Sequence, residues 1–468
     1  MLKGRIYVSW HSVFGFSKYT EKKRKFKLSP MKKIILGYIA IIFLGAFILT
    51  LPISSRDGIH TSFENALFTS TSATCVTGLV VQDTATYWSL FGQIVILCLI
   101  EIGGLGFMTL AVCAMTFTKK NIGLQSRYTL LESINAPQMA GIVKMARFTI
   151  RGAFLVEGVG ALLLATRFVP RFGVLKGIYF SVFHSVSAFC NAGFDIMGTP
   201  GNEYTSLTEY SADIVVNITV MLLIVIGGLG FFVWADLMNT RFIFRRLKLH
   251  SKIVLVTTAM LIVVGAGLIL IFDIKSDAFK GFSVPHKIIA AFFQSVTART
   301  AGFNTVDLTK LSDASVITMT VLMLIGGSPS STAGGFKTTT LAVLIASIFS
   351  ELKHKKDVEI FKRRIEPDAL RHVVCLIFLY MALFSASGAA ITWIDGITMK
   401  EALFETASAI GTVGVTLGVT PFLRGYSHLI LICLMFFGRV GGLTLLLSLR
   451  ESKAPDISRY PEEQITIG

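Results

Sequence analysis

The sequence predicts an all-α polytopic membrane protein: four pseudo-repeated units of helix, re-entrant pore loop and helix, with eight transmembrane helices around a central pore. Three observations predict it. Hydrophobic residues make up 53% of the chain and charged ones only 15%, with a mean hydropathy of +0.68, which exceeds the apolar content of a soluble domain. Four times a short apolar segment runs into a turn around one glycine, at Gly78, Gly193, Gly302 and Gly414, spaced 115, 109 and 112 residues apart. Downstream of each turn, by 25, 34, 24 and 24 residues, a second glycine signal follows: IGGLGF from Ile102, IGGLGF from Ile226, IGGS from Ile325 and FGRVGG from Phe437.

The long apolar segments predict spans at 34–51, 88–117, 148–168, 214–235, 253–272, 316–350 (interrupted), 373–394 and 429–449. Most supply the ~20 residues needed to cross ~30 Å of hydrocarbon. The segments before the turn glycines do not. They read FTSTSATCVTGL, FHSVSAFCNAGF, FQSVTARTAGF and FETASAIGTVGV, sharing an aromatic, then hydroxyls, then Ala, then Gly. Residues 62–73 form a helix of roughly 18 Å, too short to cross. These are half-helices, and the non-helical turn after each is tolerated at membrane depth only where it is buried in protein or lines a watery path.

Lys and Arg fix the expected orientation. The first 33 residues hold ten, and the links between units carry Lys119, Lys120, Arg127, Arg241, Arg245, Arg246, Lys248, Lys353, Lys355, Lys356, Lys362, Arg363 and Arg364. Both termini are therefore expected in the cytoplasm of a multi-pass membrane protein, with all four loops entering from outside. Same-orientation repeats can close around an axis along the membrane normal. The expected divisions are a basic cytoplasmic segment 1–30, pore units 31–120, 145–240, 251–350 and 371–450, and a cytoplasmic tail 451–468.

The net charge of +16 follows from these topogenic loops and their anionic lipid surroundings. Its scatter excludes a nucleic-acid surface. Six cysteines, none in CxxC spacing, suggest neither disulfide nor zinc, and no cleavable signal peptide is expected before the first span. Cys75 and Cys190, beside two turns, are expected to be reached by water from outside. No HExxH, paired-carboxylate or Ser-His-Asp set is present, so an enzyme is not expected, and no cofactor is implied.

A dehydrated cation needs its water shell replaced by oxygens, and backbone carbonyls supply them without a fixed charge. In GTVGVT (411–416) the Thr-Val-Gly order matches the start of the potassium-channel filter TVGYG, without its Tyr-Gly end. One such glycine reads as a tight turn or a helix-packing site. Four in register, each after a half-helix, read as a filter.

With these motifs on the page the chain closely resembles the Trk, Ktr and HKT potassium transporter superfamily, and within it the Ktr membrane subunit. LPIS (51–54), SATCVTGL, IGGLGFMT, SAFCNAGF, TARTAGFNT, GTVGVTLG, FGRVGGLT and the tail RYPEEQITIG carry the resemblance over about residues 31–468. The two further N-terminal spans of the Trk branch are absent from this chain. The resemblance implies potassium uptake by a homodimer resting on a cytosolic ring of nucleotide-binding RCK-type subunits (KtrA- or KtrC-like), with sodium as activator. It also implies potassium, as substrate and the only metal, on carbonyls of Val76, Thr77, Gly78, Asn191, Ala192, Gly193, Thr300, Ala301, Gly302, Thr412, Val413 and Gly414. Sodium-coupled symport through the same pore stays open.

The sixth span is broken by GGSPSSTAGG (326–335), ten unhelical residues that must line a cavity. The resemblance implies an intramembrane gate there. Its expected members are Gly326, Gly327, Ser328, Gly334 and Gly335, with Lys337 just beyond and Arg439 in the last span, since a charge in the bilayer must face water or a partner. Counted inward from the span ends, Gly326 and Arg439 lie at one depth, about 15 Å, and are expected to meet. His184 and Glu405, on half-helices, read as buried packing or filter support rather than as ligands. Glu101, Arg151 and Glu157 lie in or near spans, their role open between structural pairing and function.

Overall fold

The computed structural model describes residues 29–106, 109–111, 124–133, 141–355, 357–442 and 463. Expectations for the basic residues of 1–28, for Cys113, Lys119, Lys120 and Lys356, and for the tail motif apart from Glu463 lie outside the described residues.

The first unit is α1 (Pro30–Thr50), α2 (Phe63–Thr74) and α3 (Leu90–Leu105), followed by a linking helix α4 (Leu124–Ser133). The second is α5 (Ile142–Phe172), α6 (Val174–Phe189), α7 (Ile214–Gly228) and α8 (Phe231–Asn239). The third is α9 (Leu249–Asp273), α10 (Val284–Thr297), α11 (Asp313–Leu324) and α12 (Thr338–Leu352). A two-stranded antiparallel hairpin, β1 (Glu359–Ile360) with β2 (Arg363–Arg364), leads to the fourth: α13 (Pro367–Asp395), α14 (Met399–Gly411) and α15 (Gly425–Val440).

Local chemistry starts these helices. Pro stands in the first turn of α1, α10 and α13, where its missing N–H is no loss. Ser62 caps α2 by accepting from the Asn65 amide, and Thr398 with Glu401 forms a reciprocal capping box on α14. The first helix of each unit, α1, α5, α9 and α13, is long and apolar enough to cross a bilayer. Their outward faces carry Leu44, Phe47, Leu155, Leu162, Ile271, Phe378 and Trp393, all exposed. So many large apolar side chains pointing out is the surface of a protein solvated by lipid.

The second helices depart from the expected spans. The predicted 88–117 stops as a helix at Leu105, where Gly106 has φ +79. The predicted 214–235 is two helices, α7 and α8, bent by 93° at Gly230. There φ is +91 and a Cβ would sit 2.5 Å from the Pro329 carbonyl oxygen, so only glycine lets that segment approach. Helix α15 stops at Val440 before Gly441, φ +90. In IGGLGF and FGRVGG the earlier glycine packs and the later one breaks the helix. α6 has sixteen residues, longer than the half-helix length expected, and α5 begins at Ile142, ahead of the expected 145.

Candidate functional site

The aromatic that opens each motif, Phe68, Phe183, Phe293 or Phe404, is fully buried and seats its half-helix in the core. The hydroxyl four residues on turns back to the strand that follows the helix. Ser72 Oγ accepts from the Gly78 amide and Ser408 Oγ from the Gly414 amide, both at 3.0 Å. Ser187 Oγ donates to the Phe194 carbonyl at 2.7 Å and Thr297 Oγ1 to the Phe303 carbonyl at 2.5 Å. The shared Phe-to-hydroxyl spacing therefore fixes one end of each strand to its own helix. A hydroxyl two residues earlier ties the half-helix to the first helix of three units: Ser70 donates to Ile42 O at 2.7 Å, Ser185 to Glu157 O at 2.6 Å and Ser295 to Ile262 O at 2.9 Å.

The four strands share one backbone pattern. Val76, Asn191, Thr300 and Thr412 have φ of 57°, 59°, 72° and 51°, and Gly78, Gly193, Gly302 and Gly414 have 96°, 69°, 86° and 98°; the residue between is not left-handed. Reversing the hand of φ at alternate residues turns successive carbonyls to one side instead of to two, which is what a ladder of oxygens requires. Non-glycine residues accept this conformation only at a cost of about 1–2 kcal/mol each.

The strands meet in a closed ring. A Cβ on Gly78 would overlap the Ala192 carbonyl oxygen; one on Gly193 would lie 2.8 Å from that of Ala301; one on Gly302 would lie 2.7 Å from that of Val413; and one on Gly414 would overlap that of Thr77. Each glycine thus faces the middle carbonyl of the next unit, and the fourth returns to the first. The C-terminal ends of α2, α6, α10 and α14 lead straight into these strands, so the negative ends of four helix dipoles gather where a cation would sit.

Packing behind the ring uses the downstream glycines. Gly103, Gly227 and Gly438 press against the carbonyls of Thr74, Phe189 and Ile410, each two residues before a strand. In the third unit the helix ends instead, and residues 326–335 form a loop closed at its base by Gly326 N donating to Phe336 O at 2.9 Å and Thr338 N to Gly327 O at 3.0 Å. Ser328 N donates to Gly228 O at 3.0 Å, Phe231 N to Ser330 O at 2.8 Å and Thr332 Oγ1 to Phe189 O at 3.1 Å. A Cβ on Gly334 would overlap the Thr412 hydroxyl, which is buried without a hydrogen-bond partner. The loop therefore lies directly beneath the ring.

Arg439 reaches the loop at Thr332 rather than at Gly326, the residue expected to meet it. It donates to the carbonyls of Thr332 and Gly103, and to that of Gly104 at 3.1 Å, joining the loop to α3. Lys337 Nζ donates to Ala333 O at 2.8 Å and Gly334 O at 3.3 Å, so it staples the loop rather than projecting from it. On the far side of the loop a cavity of about 420 Å³ is bordered by Gly106, Glu132, Lys337, Tyr380 and Arg439.

His184 and Glu405 support the strands. His184 Nδ1 donates to Phe180 O on its own helix at 2.7 Å, and its Nε2 accepts from Ile196 N, beyond the second strand, at 3.5 Å. Glu405 accepts from Thr416 Oγ1 at 2.6 Å, Leu417 N at 3.0 Å and Thr420 Oγ1 at 2.5 Å, holding the chain that leaves the fourth strand. Cys75 and Cys190 are fully buried behind the ring, which overturns the expectation that water reaches them. They precede left-handed residues whose backbones, not side chains, face the centre. Arg151 is exposed, while Glu101 and Glu157 converge on Cys190.

Two buried charged features near the ring escaped the sequence. Arg299, only 7% exposed, lies behind the third strand with one long hydrogen bond, 3.5 Å to Gly326 O, and its Nε unpaired. Above the ring, Asp83 accepts from Tyr204 N at 2.9 Å and from Thr86, and Asp195 lies near it. Burial, with the Asp83 charge adding, pushes the Asp195 carboxyl up to about 7.

The profile of the TrkH family, described as cation transport protein, matches residues 9–457. The potassium/sodium uptake protein NtpJ of Enterococcus hirae is 39% identical over 454 residues, covering 96% of this chain and 99% of the relative. The Ktr system potassium uptake protein B of Bacillus subtilis is 37% identical, covering 94% of this chain and 97% of the relative. The crystal structure of the potassium transporter TrkH from Vibrio parahaemolyticus superposes with a TM-score of 0.69 at 18% identity, over 92% of this chain and 86% of that one, a likeness of fold.

Proposed function

Since the chain belongs to the TrkH family of cation transport proteins, we propose that it takes up potassium through the ring of Val76–Thr77–Gly78, Asn191–Ala192–Gly193, Thr300–Ala301–Gly302 and Thr412–Val413–Gly414. The observation that carries this is the cyclic contact of each turn glycine with the middle carbonyl of the next unit. A site built from neutral carbonyls and helix ends binds a monovalent cation firmly enough to strip its water and loosely enough to release it. The relatives are named as uptake proteins and the chain is a transporter, not an enzyme.

In this reading residues 326–335, held by Arg439 and Lys337, block the path beneath the filter, and flux requires the loop to move. The names of the Ktr relatives speak of a system, which supports a regulated membrane subunit. We extend this to a homodimer in the bacterial plasma membrane, both termini cytoplasmic, on a cytosolic ring of RCK-type nucleotide-binding subunits. The chain itself needs no cofactor. A second reading, sodium-coupled symport through the same pore, has in its favour the name of the Enterococcus relative.

The test is potassium-limited growth and rubidium uptake in cells lacking their own uptake systems. Rescue by the chain, alone or with a cytosolic partner, supports potassium transport, and failure of both, with the protein in the membrane, contradicts it. Rubidium accumulation that follows an imposed sodium gradient in proteoliposomes would select the symport reading.

A further inference from the structure

Glu101 on α3 and Glu157 on α5 project toward the same point behind the second strand, and with Cys190 on α6 their ligand atoms lie within 4.8 Å of one another. Cys190 Sγ donates to Glu101 Oε2 at 3.5 Å and, at 3.9 Å, to Glu157 Oε1. Glu157 is 4% exposed, and Glu101 Oε1 is buried without any hydrogen-bond partner. No salt bridge to either carboxylate occurs among the described residues. Arg439 is the cation nearby, and its guanidinium is spent on the carbonyls of Gly103, Gly104 and Thr332.

Two carboxylates this close, among apolar side chains, do not both keep a negative charge without an occupant between them. A hard metal cation takes six or more oxygens, whereas only two carboxyl groups and one thiol converge here. A proton needs no more than that. One carboxyl becomes the donor, its neighbour the acceptor, and the orphaned Glu101 oxygen gains a role.

We propose that Glu101 and Glu157 hold one exchangeable proton between them, an intramembrane proton-binding site whose emptying lowers cation flux. When the proton leaves for solvent the pair passes from one negative charge to two, and the carboxylates separate. Cys190 lies between them and against α3, since a Cβ on Gly104 would be 2.5 Å from its Sγ. The residue after Cys190 is Asn191, the left-handed first residue of the second strand. Gly103 and Gly104 also carry the carbonyls that hold Arg439 and, through it, the loop. The other titratable or charged groups facing the pair are Cys98 on α3, Cys190 on α6 and Arg439 on α15; α7 carries none.

The uptake part of this inference rests on the transport reading; the proton site does not. Infrared difference spectroscopy of the purified full chain should show a protonated-carboxyl component at neutral pH, beyond that of Asp195, that is lost on alkaline titration, altered in Glu101→Gln or Glu157→Gln and missing in the double variant. In proteoliposomes, rubidium uptake by the unaltered chain should fall as pH rises on both faces, and each Gln variant, which imitates the protonated pair, should lose that dependence. A neutral-pH spectrum identical in unaltered and double-variant protein overturns the site. A retained pH profile in the double variant overturns the link to flux. Should the Gln variants not accumulate, Cys190→Ala removes the thiol donor and must shift the band, and an unshifted band overturns the proposal.

Discussion

Replacing Gly414 by Ser perturbs the ring where it closes. Its φ of +98 costs an L-residue about 1–2 kcal/mol, and the new Cβ would overlap the Thr77 carbonyl oxygen while lying 3.0 Å from Gly78 Cα and 3.1 Å from Gly302 Cα. None of these neighbours is a flexible side-chain end, so three backbones must shift together. An oxygen cage that moves by several tenths of an ångström no longer matches one ion over another. We expect a loss of about 2–3 kcal/mol in potassium-over-sodium discrimination, about 30- to 150-fold. The assay is competition of sodium with rubidium uptake in proteoliposomes. Gly58→Ser is the control, because Gly58 has φ +69 with nothing within 4 Å and carries the conformational cost without touching the ring. Unchanged competition in a well-folded Gly414→Ser protein would refute the reasoning, and Gly78, Gly193 and Gly302 should behave as Gly414 does.

Ser72→Ala and Ser408→Ala each strip a buried glycine amide of its acceptor, costing about 1–3 kcal/mol, and should lower both the thermal midpoint and the selectivity; a thermal loss with intact selectivity would separate anchoring from filtering. Asp195 binds its proton more tightly folded than unfolded, so stability should fall as pH rises from about 4 to about 7 and then level off. Asp195→Asn should flatten that slope, which thermal denaturation across pH checks. Arg439→Ala and a shortened 326–335 should each raise rubidium uptake, with the double change less than additive because both release one contact to Thr332. Uptake that falls in a well-expressed loop deletion would count against a gate.

Much of this site was legible because repetition exposes it. The Phe-to-hydroxyl spacing that looked like a shared order is the spacing at which a helix hydroxyl meets its own following strand, as Ser72 meets Gly78. The helix rise likewise brought Arg439 to the level of the loop, though not to the residue it contacts, Thr332. What failed is what one dimension does not encode. Cys75 and Cys190 adjoin the strands, yet adjacency does not say which side of a strand a side chain takes. Apolar content ran past Gly106, where a left-handed glycine ends the helix, and across Gly230, where the close approach of another backbone bends it. Arg299 drew no reading at all, since nothing in TARTAGF tells that the arginine is buried.

The account's central claim is that four strands surround one cation path, and anomalous diffraction from crystals of the full chain soaked in rubidium or thallium tests it most directly. The account predicts a peak on the axis ringed by the carbonyls of Thr77, Ala192, Ala301 and Val413, weakened in Gly414→Ser. A transport-active protein whose bound ions lie elsewhere, with no peak among those four oxygens, would contradict it.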